Sequence, residues 1–291
     1  MIKRLKNSSR RLIQIFSFAL FNPYILLNPK AGKILYQGKM KSLCVPILNC
    51  YSCPLAVGSC PIGALQQTLK LNQIPVLILG FFGTIGLFIG RYPCGNFCPF
   101  GFFQEILYKI KFFKFRIKRI FRYTKYVILL LSFLVPFFYK ETFFCKFICP
   151  AGTIEASLPQ IIFNPALLVN ISWVFYLKIS IAILFVFFSI TTKRFFCSVL
   201  CPIGAIYGLF NKISLLQIKY DPKKCTKCGI CRQVCPMDIN IYENTTDIDC
   251  IRCFNCVNSC PSSALKVSNI FKVKKVILNS KTITDHQGFQ R

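Results

Sequence analysis

Apolar residues come in long blocks along this chain, separated by loops rich in Lys and Arg. Leu12 to Leu27 is the first block, interrupted by Asn22-Pro23; Leu71 to Gly90, Tyr126 to Tyr139 and Ala166 to Thr192 follow. A hydrocarbon core of about 30 Å asks for about 20 helical residues. The blocks therefore predict a mainly α membrane domain over 1–215, with about four spans near 12–28, 71–90, 124–144 and 168–191. The third is short and reaches across if Lys125 and Lys140 extend their ammonium groups to the interface. Lys178 interrupts the fourth: as an intramembrane polar site, it either snorkels outward or faces a polar interior near a quinone or a metal cluster. No small-x-small cleavage site follows the first block, so it reads as a helix rather than a signal peptide.

Charge orients these blocks. Of 291 residues, 37 are Lys or Arg and only 9 are acidic, for a formal charge of +28. The basic residues flank the apolar blocks, where they set topology and meet anionic head groups, so membrane lipid rather than nucleic acid is the expected partner. The basic excess before the first block, between the second and third, and after the fourth places both termini in the cytoplasm of a multi-pass cell-membrane protein. Residues 109–125, basic and interleaved with Phe and Ile, read as an amphipathic helix lying on that face. Glu105, Glu141 and Glu155 read as solvated loop acids.

Eighteen cysteines change the picture from anchor to chemistry. A phrase recurs: Cys94-Gly-Asn-Phe-Cys98-Pro-Phe-Gly101, Cys145-Lys-Phe-Ile-Cys149-Pro-Ala-Gly152 and Cys197-Ser-Val-Leu-Cys201-Pro-Ile-Gly204, with a degenerate copy at Cys60-Pro-Ile-Gly63. Three intervening residues put two sulfurs on one face of a helical turn, and Pro-x-Gly limits its continuation. Given the expected topology, Cys94, Cys98, Cys197 and Cys201 fall at the inner face, enough thiolates for one 4Fe-4S cluster. Cys145 and Cys149 share the outer face with Cys44, Cys50, Cys53 and Cys60. The favoured outer quartet is Cys53, Cys60, Cys145 and Cys149, by analogy among the Cys-Pro-x-Gly copies. Cys44 and Cys50 remain alternative ligands or a disulfide pair. The single His, His286, makes a His-ligated membrane haem unexpected.

Residues 216–268 carry the most specific signal. Cys225-x2-Cys228-x2-Cys231-x3-Cys235-Pro is followed by Cys250-x2-Cys253-x2-Cys256-x3-Cys260-Pro. A zinc ribbon also uses Cys-x2-Cys pairs, but it needs four ligands and leaves the x3-Cys-Pro step unexplained. The duplicated run resembles the bacterial two-cluster ferredoxin, a small α+β domain. That resemblance implies a crossed arrangement, with Cys225, Cys228, Cys231 and Cys260 on one 4Fe-4S cluster and Cys250, Cys253, Cys256 and Cys235 on the other. Residues 269–291 form a tail, with an alternating stretch at 270–278 that suggests a further strand.

Together, the membrane phrases and the C-terminal ferredoxin resemble membrane-bound ferredoxins of the NapH and NosR type. The resemblance implies electron transfer between a cytoplasmic or quinone-pool donor and a partner reductase, across the membrane through inner-face and outer-face clusters. Two clusters are expected in the ferredoxin domain and one or two more in the membrane domain. Two other readings stay open at this point: a quinol dehydrogenase subunit, and a redox-sensing or assembly factor for a partner enzyme.

Overall fold

The structure, a computed structural model, describes residues 2–23, 38–54, 56–166 and 172–269. The expected span ends at 24–28 and 168–171, and the expected strand at 270–278, lie outside the described residues. The chain is mainly helical. Its principal helices are α1 (Ile2–Phe21), α2 (Pro61–Lys70), α3 (Val76–Ile89), α4 (Pro99–Leu107), α5 (Thr124–Tyr139), α6 (Trp173–Thr191) and α7 (Pro202–Phe210). Among the described residues, two segments are long and apolar enough to cross a membrane, Arg119–Tyr139 and Trp173–Thr191; α3 is apolar but shorter.

The helices are inside out by the standard of a water-soluble protein. Along α5, Lys125, Ile128, Ser132 and Pro136 face inward, whereas Val127, Leu130, Leu134, Phe137 and Phe138 are exposed. On α6 the buried positions include Ser189 and Thr191, and Ile183, Leu184 and Phe187 face out. Arg10, Gln14 and Ser17 of α1 are buried while Leu12, Ile15, Phe16 and Leu20 are not. Water would penalise so large an apolar exterior, but a lipid environment favours it and drives polar groups to find partners inside. The membrane character read from composition thus has a structural counterpart.

Short helices pack on the long ones. α2 and α7 lie along α5, and α4 lies along α6 together with the helical segment that follows Cys149. Each begins at the Pro of a Cys-Pro pair, because proline's fixed φ and missing N–H suit the first helical position.

After α7, a two-stranded antiparallel sheet closes the small domain. β1 (Leu216–Tyr220) pairs with β2 (Leu265–Asn269), from Leu216 opposite Asn269 to Tyr220 opposite Leu265. The cysteine loops lie between them, with short helices Ile230–Gln233 and Asn255–Ser259.

Residues 109–125 depart from expectation. They form no amphipathic helix: residues 111–118 are irregular, and Arg119–Tyr123 is one 3₁₀ turn leading into α5. The basic side chains reach the ferredoxin domain. Arg116 pairs with Asp238 at 3.2 Å, Arg119 with Asp247 at 3.0 Å and Arg122 with Asp249 at 3.4 Å. An irregular strap can match charges on a folded neighbour that a regular helical face would miss.

Candidate iron–sulfur sites

The three full phrases share one local conformation. The first Cys of each sits in a single helical turn, at Tyr92–Asn96, Phe144–Ile148 and Phe195–Val199. The second Cys is extended, with φ/ψ of −71/112 at Cys98, −70/110 at Cys149 and −75/111 at Cys201. It stands at a helix N-terminus, where unpaired N–H groups and the helix dipole favour a negative sulfur. The Gly three residues on donates its N–H to that sulfur, at 3.4 Å for Gly204 and Cys201.

Cys94, Cys98, Cys197 and Cys201 are all buried and lie close enough to feel one another's charge. Burial pushes the Cys98 thiol up to about 12 and Cys201 well above the usual thiol range, with the neighbouring thiols adding to both. Two arginines cross between the phrases. Arg91, three residues before Cys94, donates to the Cys197 carbonyl at 2.5 Å; Arg194, three before Cys197, donates to the Cys94 carbonyl at 2.8 Å. Gly204 and Gly101 make room for them, since a Cβ would come within 2.5 Å of Arg91 and 2.8 Å of Arg194 respectively. Arg194 and Arg10 also clamp Glu105 at 2.7 and 2.5 Å. Burial works against ionising Glu105, but these two guanidiniums outweigh it and hold its carboxyl below the usual range. The expectation of a solvated Glu105 is thereby corrected.

This surround fits a thiolate-bound iron–sulfur cluster. Four ionised thiols buried together would repel unless bound to iron, and the resulting anionic assembly would sit between two buried guanidiniums. Arg91 Nε and Tyr207 Oη are buried there without a hydrogen-bond partner. Bound iron–sulfur clusters would supply one-electron storage and transfer. Gln104 donates to Cys197 Sγ at 3.2 Å, a bond that strengthens as the sulfur gains charge on reduction. Gln104→Leu is therefore expected to lower the potential of this centre by on the order of 50 mV, taking about 1 kcal/mol of hydrogen bonding and about 59 mV per tenfold change. Potentiometric EPR checks it.

At the opposite end, a cavity of about 340 Å³ is lined by Cys50, Cys60, Cys145 and Cys149 together with Lys178. Lys178 thus borders the thiols rather than only an apolar surround. Cys53, favoured from sequence, instead lines a separate apolar hollow with Phe18, Phe100 and Phe103. Cys44 forms a backbone bridge with Ser59, and the thiols of Cys44 and Cys50 are not joined. Glu155 accepts from the Cys50 N–H at 3.0 Å, and burial pushes its carboxyl up to about 7, which corrects its reading as a solvated acid. Glu141 pairs near the surface with Lys146 at 2.9 Å.

In the ferredoxin domain, Cys225, Cys228, Cys231 and Cys260 line one hollow, with Cys228 exposed. Cys235, Cys250, Cys253 and Cys256 lie mutually close on the side facing the membrane helices. The two halves repeat their backbone: Lys227, Gly229 and Asp238 have positive φ, as do Arg252, Phe254 and Ser263 at the same offsets. Such turns aim successive N–H groups into a concavity suited to anionic sulfur. The Asp247–Arg252 loop is keyed into the membrane half: Asn211 donates to the carbonyls of Asp247 and Cys250 at 2.9 and 2.7 Å, and Arg91 to that of Ile248 at 3.1 Å.

Sequence reasoning missed Arg91, Arg194, Gln104, Gln66 and Glu155. A signal existed in their offsets, since the arginines lie three residues before a first Cys and Gln66, Gln104 and Glu155 lie six after a second.

Comparison with known proteins is consistent with this geometry. A 4Fe-4S binding domain family matches residues 71–120, 121–157 and 174–221, and a 4Fe-4S dicluster domain family matches 217–261. An uncharacterised protein of Methanocaldococcus jannaschii is 30% identical over 225 residues, covering 73% of this chain and 87% of its own. The methylamine utilization ferredoxin-type protein MauN of Methylorubrum extorquens is 28% identical, over 78% of this chain and 74% of its own. The ferredoxin-type protein NapH of Haemophilus influenzae is 32% identical over a shorter stretch, 31% of this chain and 35% of its own. No solved structure matches. With iron–sulfur families matching both halves and relatives aligned over most of its length, the chain belongs to the NapH-type family of 4Fe-4S ferredoxin proteins.

Proposed function

We propose that this iron–sulfur electron-transfer protein carries electrons across the cell membrane, between a donor at its cytoplasmic ferredoxin domain and a partner reductase served from the far side. Four spans with both termini cytoplasmic agree with the distribution of Lys and Arg. The residues proposed to hold clusters are Cys225, Cys228, Cys231 and Cys260; Cys235, Cys250, Cys253 and Cys256; Cys94, Cys98, Cys197 and Cys201; and a further set at the far-side cavity.

The observation that carries this reading is the shared environment of Cys253 and the membrane quartet. Arg194 feels Cys197, Cys98 and Cys253 together, and Gly95 packs against the Ile251 carbonyl of the ferredoxin loop. A merely tethered ferredoxin would have no reason to key its second cysteine loop between Arg91, Asn96 and Asn211. Exposed Cys228 leaves the other ferredoxin quartet open to a soluble partner.

The test is electron flow into sealed vesicles. Protein reconstituted with dithionite outside and ferricyanide trapped inside is expected to bleach the ferricyanide at least tenfold faster than protein-free vesicles. Equal rates for the intact protein and for Cys201→Ala would overturn the transmembrane route.

A further inference from the structure

The far-side cavity repeats the construction of the ferredoxin-side site, and the repetition identifies its fourth thiol. Resting on the electron-transfer reading above, we infer that Cys50, Cys60, Cys145 and Cys149 hold a second membrane iron–sulfur cluster, the quasi-two-fold counterpart of the Cys94, Cys98, Cys197 and Cys201 centre. Cys53 is not a ligand of it.

The first argument is exchange between phrases. At the ferredoxin-side site, each phrase places its Gly beneath a residue of the other, Gly204 under Arg91 and Gly101 under Arg194. At the far side, a Cβ on Gly63 would lie 3.7 Å from Cys145 Sγ, and one on Gly152 would lie 3.8 Å from Cys50 Sγ. Cys50 therefore occupies, against the Cys149 phrase, the position that Cys145 occupies against the Cys60 phrase.

A second, independent set of contacts gives the same pairing. After three of the four second Cys positions, Cys60, Cys98 and Cys149, the sixth residue reaches across to the opposing phrase. Gln66, six after Cys60, accepts from the Cys145 N–H at 3.3 Å; Glu155, six after Cys149, accepts from the Cys50 N–H at 3.0 Å. Gln104, six after Cys98, touches Cys197 by the same logic. Cys145 and Cys197 are thus each held by the helix belonging to the other phrase, and Cys50 is held in the same way, as a first Cys. The spacing of ten residues to Cys60, instead of four, reflects the inserted loop 51–59, which the Cys44–Ser59 bridge folds back.

The chemistry of the surround agrees. Lys178 Nζ would lie 3.3 Å from a Cβ on Gly152, so a cation stands at the thiols as Arg91 and Arg194 do at the other site. Cys53 is 3% exposed and, although its charge reaches Cys50, it lines a hollow of aromatic rings, Ile154 and Glu155 outside the cavity that the other four thiols share.

The experiment compares Cys50→Ala and Cys53→Ala in the full-length protein, purified anaerobically, by iron and acid-labile sulfide analysis with low-temperature EPR of the reduced state. Cys50→Ala is expected to lose about four iron and four sulfide per chain, and Cys53→Ala to keep the wild-type content. EPR signals from the ferredoxin clusters, retained in both variants, show that the chain still folds. Loss of iron in Cys53→Ala, alone or together with Cys50→Ala, would overturn the assignment. Unchanged iron in both, and in Cys149→Ala, would remove the far-side cluster altogether. Cys201→Ala separates these failures from failure of the broader reading, because its loss of iron does not depend on the far-side ligands.

Discussion

Cys98→Ala will purify with about four fewer iron atoms per chain than the wild type, while the EPR signals of the ferredoxin clusters persist. The buried quartet has no substitute to offer. Next to Cys197, Ser198 already donates to the Arg194 carbonyl at 3.1 Å, and the single His of the chain is His286, beyond the described residues. Water is a poor replacement because Cys98 caps a helix beneath Gln14 and Phe100, both buried. The loss has a second cost: Arg91 and Arg194, each fully or almost fully buried, would face an emptied cavity with only Asp249 and Glu105 to balance them. Transfer into vesicles should fall to the protein-free rate even though the clusters on either side can still assemble. Iron analysis and spin quantitation decide the matter, and an unchanged iron content would show that Cys98 is not a ligand.

Much of the architecture was legible because lipid imposes a simple rule on backbone and side chains. The apolar blocks at 71–90, 124–144 and 168–191 each contain a helix, because a chain in hydrocarbon satisfies its peptide groups internally. The Cys-Pro-x-Gly spacing was equally informative, since proline at the first helical turn and a donor N–H on Gly are local requirements. Long-range choices were not legible. Residues 109–125 have the composition of a surface helix, but Asp238, Asp247 and Asp249 lie more than 100 residues away in sequence and decide their conformation. Glu105 and Glu155 look like ordinary loop acids until the partners that bury them, Arg194 and the Cys50 N–H, are brought alongside. The choice between Cys50 and Cys53 was not legible for a related reason. Proximity along the chain favours Cys53, whereas the opposing Cys149 phrase presents Gly152 and Glu155 to Cys50.

One carboxylate, Asp249, gathers three cations at the junction between the ferredoxin and membrane halves. Asp249 accepts from Arg91 at 3.3 Å and Arg122 at 3.4 Å and pairs with Lys125, while the backbone of its loop is held by Asn211. Burial alone would push its carboxyl up, but the surrounding cations prevail and hold it below the usual range. Asp249→Ala removes the anion, leaving Lys125 without its carboxylate partner and Arg91 with the neighbouring thiols alone, both side chains being 0% exposed. Breaking a buried ion pair from one side costs about 3–5 kcal/mol, far more than the roughly 0–1 kcal/mol of a surface pair. Arg119→Ala supplies the contrast, because Arg119 is 71% exposed where it meets Asp247. In detergent, Asp249→Ala is expected to lower the melting temperature by on the order of 10 °C and Arg119→Ala by about 2 °C or less. All ligand cysteines remain in the Asp249 variant, so its iron content should stay close to wild type while reduction of the membrane centre through the ferredoxin clusters slows. Unchanged melting and unchanged reduction kinetics would mean that the Asp249 cluster does not hold the two halves together.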